Sequence, residues 1–136
     1  VAVFGDSLRQ VIGDGVDLIF CNKDEAMTFT GTETLEAASE ALKQYTKTFA
    51  ITDGARGAVT FDGASLEQSE GVKAEAIDTN GAGDMFAGAF LYGITAGKNY
   101  GWAASLANDC AAKVVARFGP RLDPDDFTSI KQRFGI

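Results

Sequence analysis

Two short apolar runs, VDLIFCN (16–22) and KTFAIT (47–52), constrain the fold of this chain more than any other feature. Each is bounded by polar or turn residues and is too short for a buried helix, so each reads as a buried strand. The residues between them are helical in pattern. A brief helix is predicted over 23–30, and Thr32, with Glu33 and Glu36 behind it, is expected to cap a second one that carries Leu35, Ala38, Leu42 and Tyr45 on one face. Upstream, Phe4, Leu8 and Ile12 recur at helical spacing until Gly13-Asp14-Gly15 ends the pattern. Downstream of DGARG, the segments GAVTF, SLEQS and VKAEAI are short and β-like, and the turn FDGAS predicts a hairpin between the first two. The remainder is helical, over roughly 82–96, 100–117 and 124–133. Strand, helix, strand, hairpin and then helices indicate a layered α/β domain.

At 136 residues and 46% hydrophobic, the chain fits one domain with a real core. Its formal charge of -7, with no Lys/Arg run, argues against a surface that tracks DNA or RNA, so any bound anion must be held locally. Cys21 and Cys110 are far apart in apolar surroundings and are expected to be buried, reduced thiols. No stretch has the length of a membrane span, VAVFGDSLRQ lacks the pattern of a signal peptide, and a cytoplasmic location with no membrane partner is expected. There is no histidine. Nucleophilic triads, histidine-ligated zinc and histidine general bases are therefore excluded within this chain, and acid/base work falls to carboxylates, lysines or tyrosines.

The segment DTNGAGDMFAGAF (78–90) places small residues and an acid in front of an apolar run. A helix starting near Ala82 leaves its first N–H groups without intrahelical partners, at the positive end of the helix dipole. That is an anion site. Gly81 and Gly83 would let a phosphate approach the backbone, and the Asp84 carboxylate would then stand beside it. Two roles fit Asp84: a first-turn acid that stabilises the helix by about 0.3–1 kcal/mol, or a base toward a hydroxyl that attacks the phosphoryl group. Phe86, Phe90 and Ile94 read as core, and Gly88 with Ala89 suggests close helix packing. GITAGKNY is similar to a P-loop, but its glycines are one residue too close, Asn99 replaces the Ser/Thr, and it ends a helix. A dinucleotide fingerprint fails at Phe86.

DTNGAGDMFAGAF resembles the second signature of the ribokinase-like, or PfkB, family of carbohydrate and nucleoside kinases. CNKDE offers Asn22 and Glu25 in that family's Asn-x-x-Glu arrangement, and TDGARG offers Thr52, Gly54 and Gly57 in its Thr-x-Gly-x-x-Gly arrangement. SLANDCAAKVVARFGPRL is similar to the family's last helix and following loop, and ARFGPRL leans toward the adenosine-kinase-like branch. The resemblance covers nearly the whole chain but only the C-terminal half of such a kinase. It implies the C-terminal part of a mostly parallel central sheet with flanking helices and a small hairpin, without the N-terminal acceptor-binding half and lid.

The resemblance further implies that Asp84 is the catalytic base and that the N–H groups from Gly81 through Ala82 and Gly83 to Asp84 form the anion hole. Asn22 and Glu25 would organise Mg²⁺, partly through water, or else simply cap a helix. Thr52, Gly54 and Gly57 would line the phosphates of ATP, with Arg56 reaching a phosphate or solvated, and Asn108 near the adenine or facing solvent. Asp78, with backbone near Asn80 and Gly119, falls where some members bind a monovalent cation such as K⁺. The expected function is transfer of the γ-phosphoryl group of ATP to a primary hydroxyl of a small-molecule sugar or nucleoside, of adenosine or ribose/fructose type. A non-catalytic nucleotide-binding or subunit-interaction module is the alternative. Alone, residues 1–136 are expected to be inactive and to self-associate or pair with the missing N-terminal half.

Overall fold

The computed structural model describes residues 15–71, 81–115 and 124–136. The expected helix through Phe4, Leu8 and Ile12, the VKAEAI segment, Asp78, Asn80 and Gly119 lie outside them. The described elements are β1 (Val16–Asn22), α1 (Lys23–Thr30), α2 (Leu35–Leu42), β2 (Thr46–Thr52), a one-turn 3-10 helix (Gly54–Arg56), β3 (Ala58–Phe61), β4 (Leu66–Ser69), α3 (Ala82–Thr95), α4 (Tyr100–Val115) and α5 (Pro124–Phe134). The strand order is β1-β2-β3-β4. β1 runs parallel to β2, while β2–β3 and β3–β4 are antiparallel, so within the described residues the sheet is mixed.

Alternation along the strands divides the core into two layers. Ile19, Cys21, Phe49, Ile51, Val59 and Phe61 face α1 and α2, where they pack with Ala26, Phe29, Ala38 and Leu42. Phe20, Ala50 and Ala58 face the opposite way, onto Phe86 and Phe90 of α3 and the alanines of α4. Phe20 meets Phe90 edge-on at 5.5 Å between ring centroids. Both faces are thereby covered, and this explains why the strands read as continuous apolar runs. α5 packs on the outside of α4 through Ile130, against Leu106, Cys110 and Val114. There Arg133 Nη1 donates to Asp109 Oδ1 at 2.7 Å, and this carboxylate is almost fully buried.

The second helix begins two residues later than its composition suggests. Thr34, not Thr32, is its cap, accepting from Ala37 N at 3.1 Å. Thr32 instead hydrogen-bonds Thr30 Oγ1 at 2.8 Å, a partner visible only once α1 is folded. The close contact between α3 and α4 is also made at a different glycine. A Cβ on Gly93 would lie 2.8 Å from that of Ala103, whereas one on Gly88 would meet nothing within 4 Å.

The turn after β2 depends on glycine for two different reasons. Gly54 has φ +54 in open space, but Gly57, at φ +101, is buried, and a Cβ there would overlap the Ser69 carbonyl oxygen. Gly54→Ala should therefore cost about 1–2 kcal/mol, the penalty of a left-handed backbone alone. Gly57→Ala adds overlap with main chain that cannot move aside and should cost at least about 3 kcal/mol. Urea unfolding of the two variants checks the ranking; equal losses would show that the turn is not pressed against β4.

Candidate functional site

The parallel pairing of β1 and β2 aligns Asn22 with Thr52, so both strands end side by side. Ligands of open α/β sheets bind outside the carboxyl ends of such strands. Here a polar cleft of about 380 Å³ is lined by Asn22, Lys23, Thr52, Gly54 and Arg56, with Asp24 and Asp53 also at its wall. Four residues expected to act together from sequence, Asn22, Thr52, Gly54 and Arg56, are thus gathered at one place. Gly57 is not among them, because it is buried against Ser69 and Gly71.

Asn22 and Glu25 form a reciprocal capping box at the start of α1. Asn22 Oδ1 accepts from Glu25 N at 2.8 Å, and Glu25 Oε2 accepts from Asn22 N at 2.9 Å. Two orphan donors are satisfied, and the second Glu25 carboxylate oxygen has no hydrogen-bond partner among the described residues. Among the described residues no group of three His, Cys, Asp or Glu side chains is arranged to hold a metal ion. Asn108 is buried, not solvent-facing, and its Nδ2 donates to the Glu70 carbonyl at 3.2 Å, tying α4 to the end of β4.

Gly81 adopts the left-handed conformation (φ 80, ψ -3) at the N-cap of α3, and no side chain caps that end. The first intrahelical bond runs from Met85 N to Gly81 O at 2.9 Å, so the N–H groups of Ala82, Gly83 and Asp84 have no partner from the helix. A Cβ on Gly83 would meet nothing within 4 Å, which leaves the approach to these donors open. Asp84 is exposed and acts neither as a cap nor in an ion pair with any described residue. This helix end opens into a second hollow, an apolar groove of about 710 Å³ along the outer face of α3, walled by Met85, Ala89, Tyr92, Leu106, Phe127 and Ile130. Sequence reading missed the groove because its walls come from three helices whose contacts no local pattern reveals.

A model of the pfkB family of carbohydrate kinases matches residues 2–126. The chain belongs to that family. Ribokinase of Lactococcus lactis subsp. lactis is 31% identical over 120 residues, covering 88% of this chain and 39% of that protein. The adenosine kinase structure from Sinorhizobium meliloti superposes with a TM-score of 0.87 at 31% identity, covering 96% of this chain and 41% of that one. A protein of E. coli provisionally called ribokinase II, solved with ATP and Mg²⁺, gives a TM-score of 0.77 at 27% identity over 94% of this chain and 42% of that one. This pfkB chain spans about two fifths of the length of these relatives.

Neither thiol of the pfkB chain is a nucleophile at neutral pH. Burial, assisted by the Glu25 charge, pushes Cys21 up to about 12. Burial, with Asp109 adding to it and Lys113 opposing, pushes Cys110 up to about 11. Both values are raised, so the stability each neutral thiol contributes is complete below the ordinary value of 9.0 and is lost as pH rises through the folded values. Stability measured by denaturant should fall between about pH 9 and 12, and the C21A/C110A variant should lack part of that fall. An identical decline in both proteins would place the thiols in contact with solvent.

Proposed function

We propose that this chain is the nucleotide- and phosphoryl-handling part of a sugar or nucleoside kinase, with Asp84 as the base toward the acceptor hydroxyl. The observation that carries the reading is the start of α3: an uncapped set of N–H donors, an open Gly83 and an exposed carboxylate in one turn. An anion fits there, because backbone donors and the helix dipole favour negative charge without any basic side chain. In the reaction the acceptor oxygen forms a bond to the γ-phosphorus of ATP, the bond from that phosphorus to the β-bridging oxygen breaks, and ADP leaves. The hydroxyl proton passes to Asp84, and the N–H groups of the α3 terminus stabilise the charge on the transferring group.

Mg²⁺ normally keeps several waters and is held by one or two carboxylates together with substrate phosphates. The free oxygen of Glu25 and the amide of Asn22 fit such a water-mediated role, and the absence of a three-carboxylate cluster among the described residues fits a metal that arrives with the nucleotide. When bound, the metal neutralises phosphate charge. Asn108 serves the nucleotide indirectly, by fixing the Glu70 carbonyl at the end of β4. The proposed acceptor is a small sugar or nucleoside, the two classes of substrate named among the relatives.

Gly83→Val tests the anion hole cleanly, since the added side chain enters open space and valine is no worse than glycine in a helix. It should weaken Mg-ATP binding by about tenfold or more, about 1.4 kcal/mol, and leave adenosine binding unchanged. Calorimetry that shows equal losses for both would contradict the placement. Asp84→Asn separates chemistry from binding. It removes a charge beside the phosphate, so Mg-ATP should bind as well as before or slightly tighter. With an acceptor-binding part supplied, turnover should drop by about 10²–10⁴. Unchanged turnover would reduce Asp84 to a helix-end acid, and nucleotide binding with no turnover in the unaltered protein would favour a binding module.

A further inference from the structure

Three of the five large apolar side chains left exposed among the described residues, Tyr92, Phe127 and Ile136, lie around one feature, the groove between α3 and α5. Tyr92 and Phe127 are each 50% exposed. Apolar side chains gathered at one place on a surface mark a face that another molecule covers. The groove also holds a glycine for which the described packing gives no reason. Gly88 sits in mid-helix, where glycine costs about 1 kcal/mol relative to alanine, yet a Cβ there would meet nothing within 4 Å. Gly93 on the same helix is explained by the approach of Ala103, whereas Gly88 is a hole with no described occupant.

What fits the hole stands on the same face. Phe127, on the α5 wall of the groove, is a large ring half in solvent. The charges are arranged to match. Asp84 and Lys131 are the two charged side chains of the groove's described walls, and neither forms an ion pair with a described residue. Asp84 precedes Gly88 by four residues on α3, and Phe127 precedes Lys131 by four on α5, so on each helix the charge and the apolar feature lie on one side, one turn or about 6 Å apart. Laid antiparallel to α3, the α5 helix of a second copy sets Phe127 against Gly88 and Lys131 against Asp84 in one step. A two-fold axis then repeats both contacts, because an isologous interface uses one patch on both copies.

We propose that this groove is the interface of a two-fold homodimer, in which Phe127 of each copy fills the space over Gly88 of the other and Lys131 of each pairs with Asp84 of the other. The formal charge of -7 sets two copies against each other, and the groove is where apolar area and opposite charges offset that repulsion. The interface itself rests on the groove. Under the proposed kinase reading, Lys131 of the second copy also covers the carboxylate proposed as the base, and the dimer is a closed form that must part before an acceptor reaches Asp84.

Sedimentation equilibrium and light scattering on residues 1–136, over a wide range of concentration, test this. The unaltered chain should show a reversible equilibrium between monomer and dimer. Gly88→Leu enters open space and brings a better helix former, so circular dichroism should not change. It fills the hole, however, and should raise the dimer dissociation constant by about thirtyfold or more, as should Phe127→Ala, since each substitution acts twice across the two-fold axis. Asp84→Lys and Lys131→Asp should each weaken the dimer about tenfold by setting like charges together, and the double variant should restore it. A monomer at every concentration, or open-ended association, overturns the proposal. A dimer indifferent to Gly88→Leu and Phe127→Ala overturns it too, and a double charge variant that associates no better than the single ones overturns the pairing of Lys131 with Asp84. None of these outcomes depends on turnover. A dimer that responds as described, beside unchanged turnover in Asp84→Asn, upholds the interface and sinks the kinase reading.

Discussion

The parallel pairing of β1 with β2 is the constraint on which the rest of the structure depends. Its register, Asn22 opposite Thr52, brings the ends of two strands that are 30 residues apart in sequence to one edge of the sheet. The same register decides which side chains go to which layer. Phe20 and Ala50 meet α3 and α4, and Ile19, Cys21, Phe49 and Ile51 meet α1 and α2. Because side chains alternate strictly along a strand, a slip of one residue would exchange the two layers and expose both cores to the wrong helices. Fixing the fold and aligning the strand ends that line the cleft are therefore one event.

The acidic character of the chain shapes how it can hold an anion. With a formal charge of -7 it has no broad cationic surface to draw on, and the structure supplies positive potential in small, fixed amounts instead. One source is the backbone at the start of α3, where Gly81 turns the chain left-handed and three N–H groups have no partner within the helix. The cleft at the strand ends is mixed in charge, with Lys23 and Arg56 set beside Asp24 and Asp53. Backbone donors keep their direction without side-chain ordering, so they retain their value where surface charge is unfavourable. The two hollows share no described lining residue, and the proposed chemistry requires a ligand that touches both.

Glycine illustrates how packing sorts residues of identical type. Gly57, Gly71 and Gly93 are places where another chain segment comes too close for a Cβ, whereas Gly54, Gly83 and Gly88 face open space. The first group holds the turn against β4 and α3 against α4. Among the second, Gly54 and Gly83 stand where the anion is proposed to approach, and Gly88 lies in the apolar groove beside Asp84. Substitutions in the two groups therefore report on different things, stability for the first and ligand access for the second.

The alternation of strands and helices, the hairpin and the start of α3 at Ala82 were all legible in the sequence, because each follows from local periodicity and turn chemistry. The motifs around Asn22, Thr52 and Asp84 were legible as well, and they led to the family. Tertiary structure decided what several of those residues do. Asn22 and Glu25 complete each other's hydrogen bonds in a capping box, Asn108 turns inward to the Glu70 carbonyl, Gly57 is closed by Ser69, and Gly93, not Gly88, receives the next helix. Lys23 carries no signal of its own in the sequence and meets Arg56 in one cleft only because α1 and the turn after β2 converge. The physical reason is range: propensity and capping act over a few residues, but a side chain's partner is chosen by segments that only strand register and helix packing bring within reach.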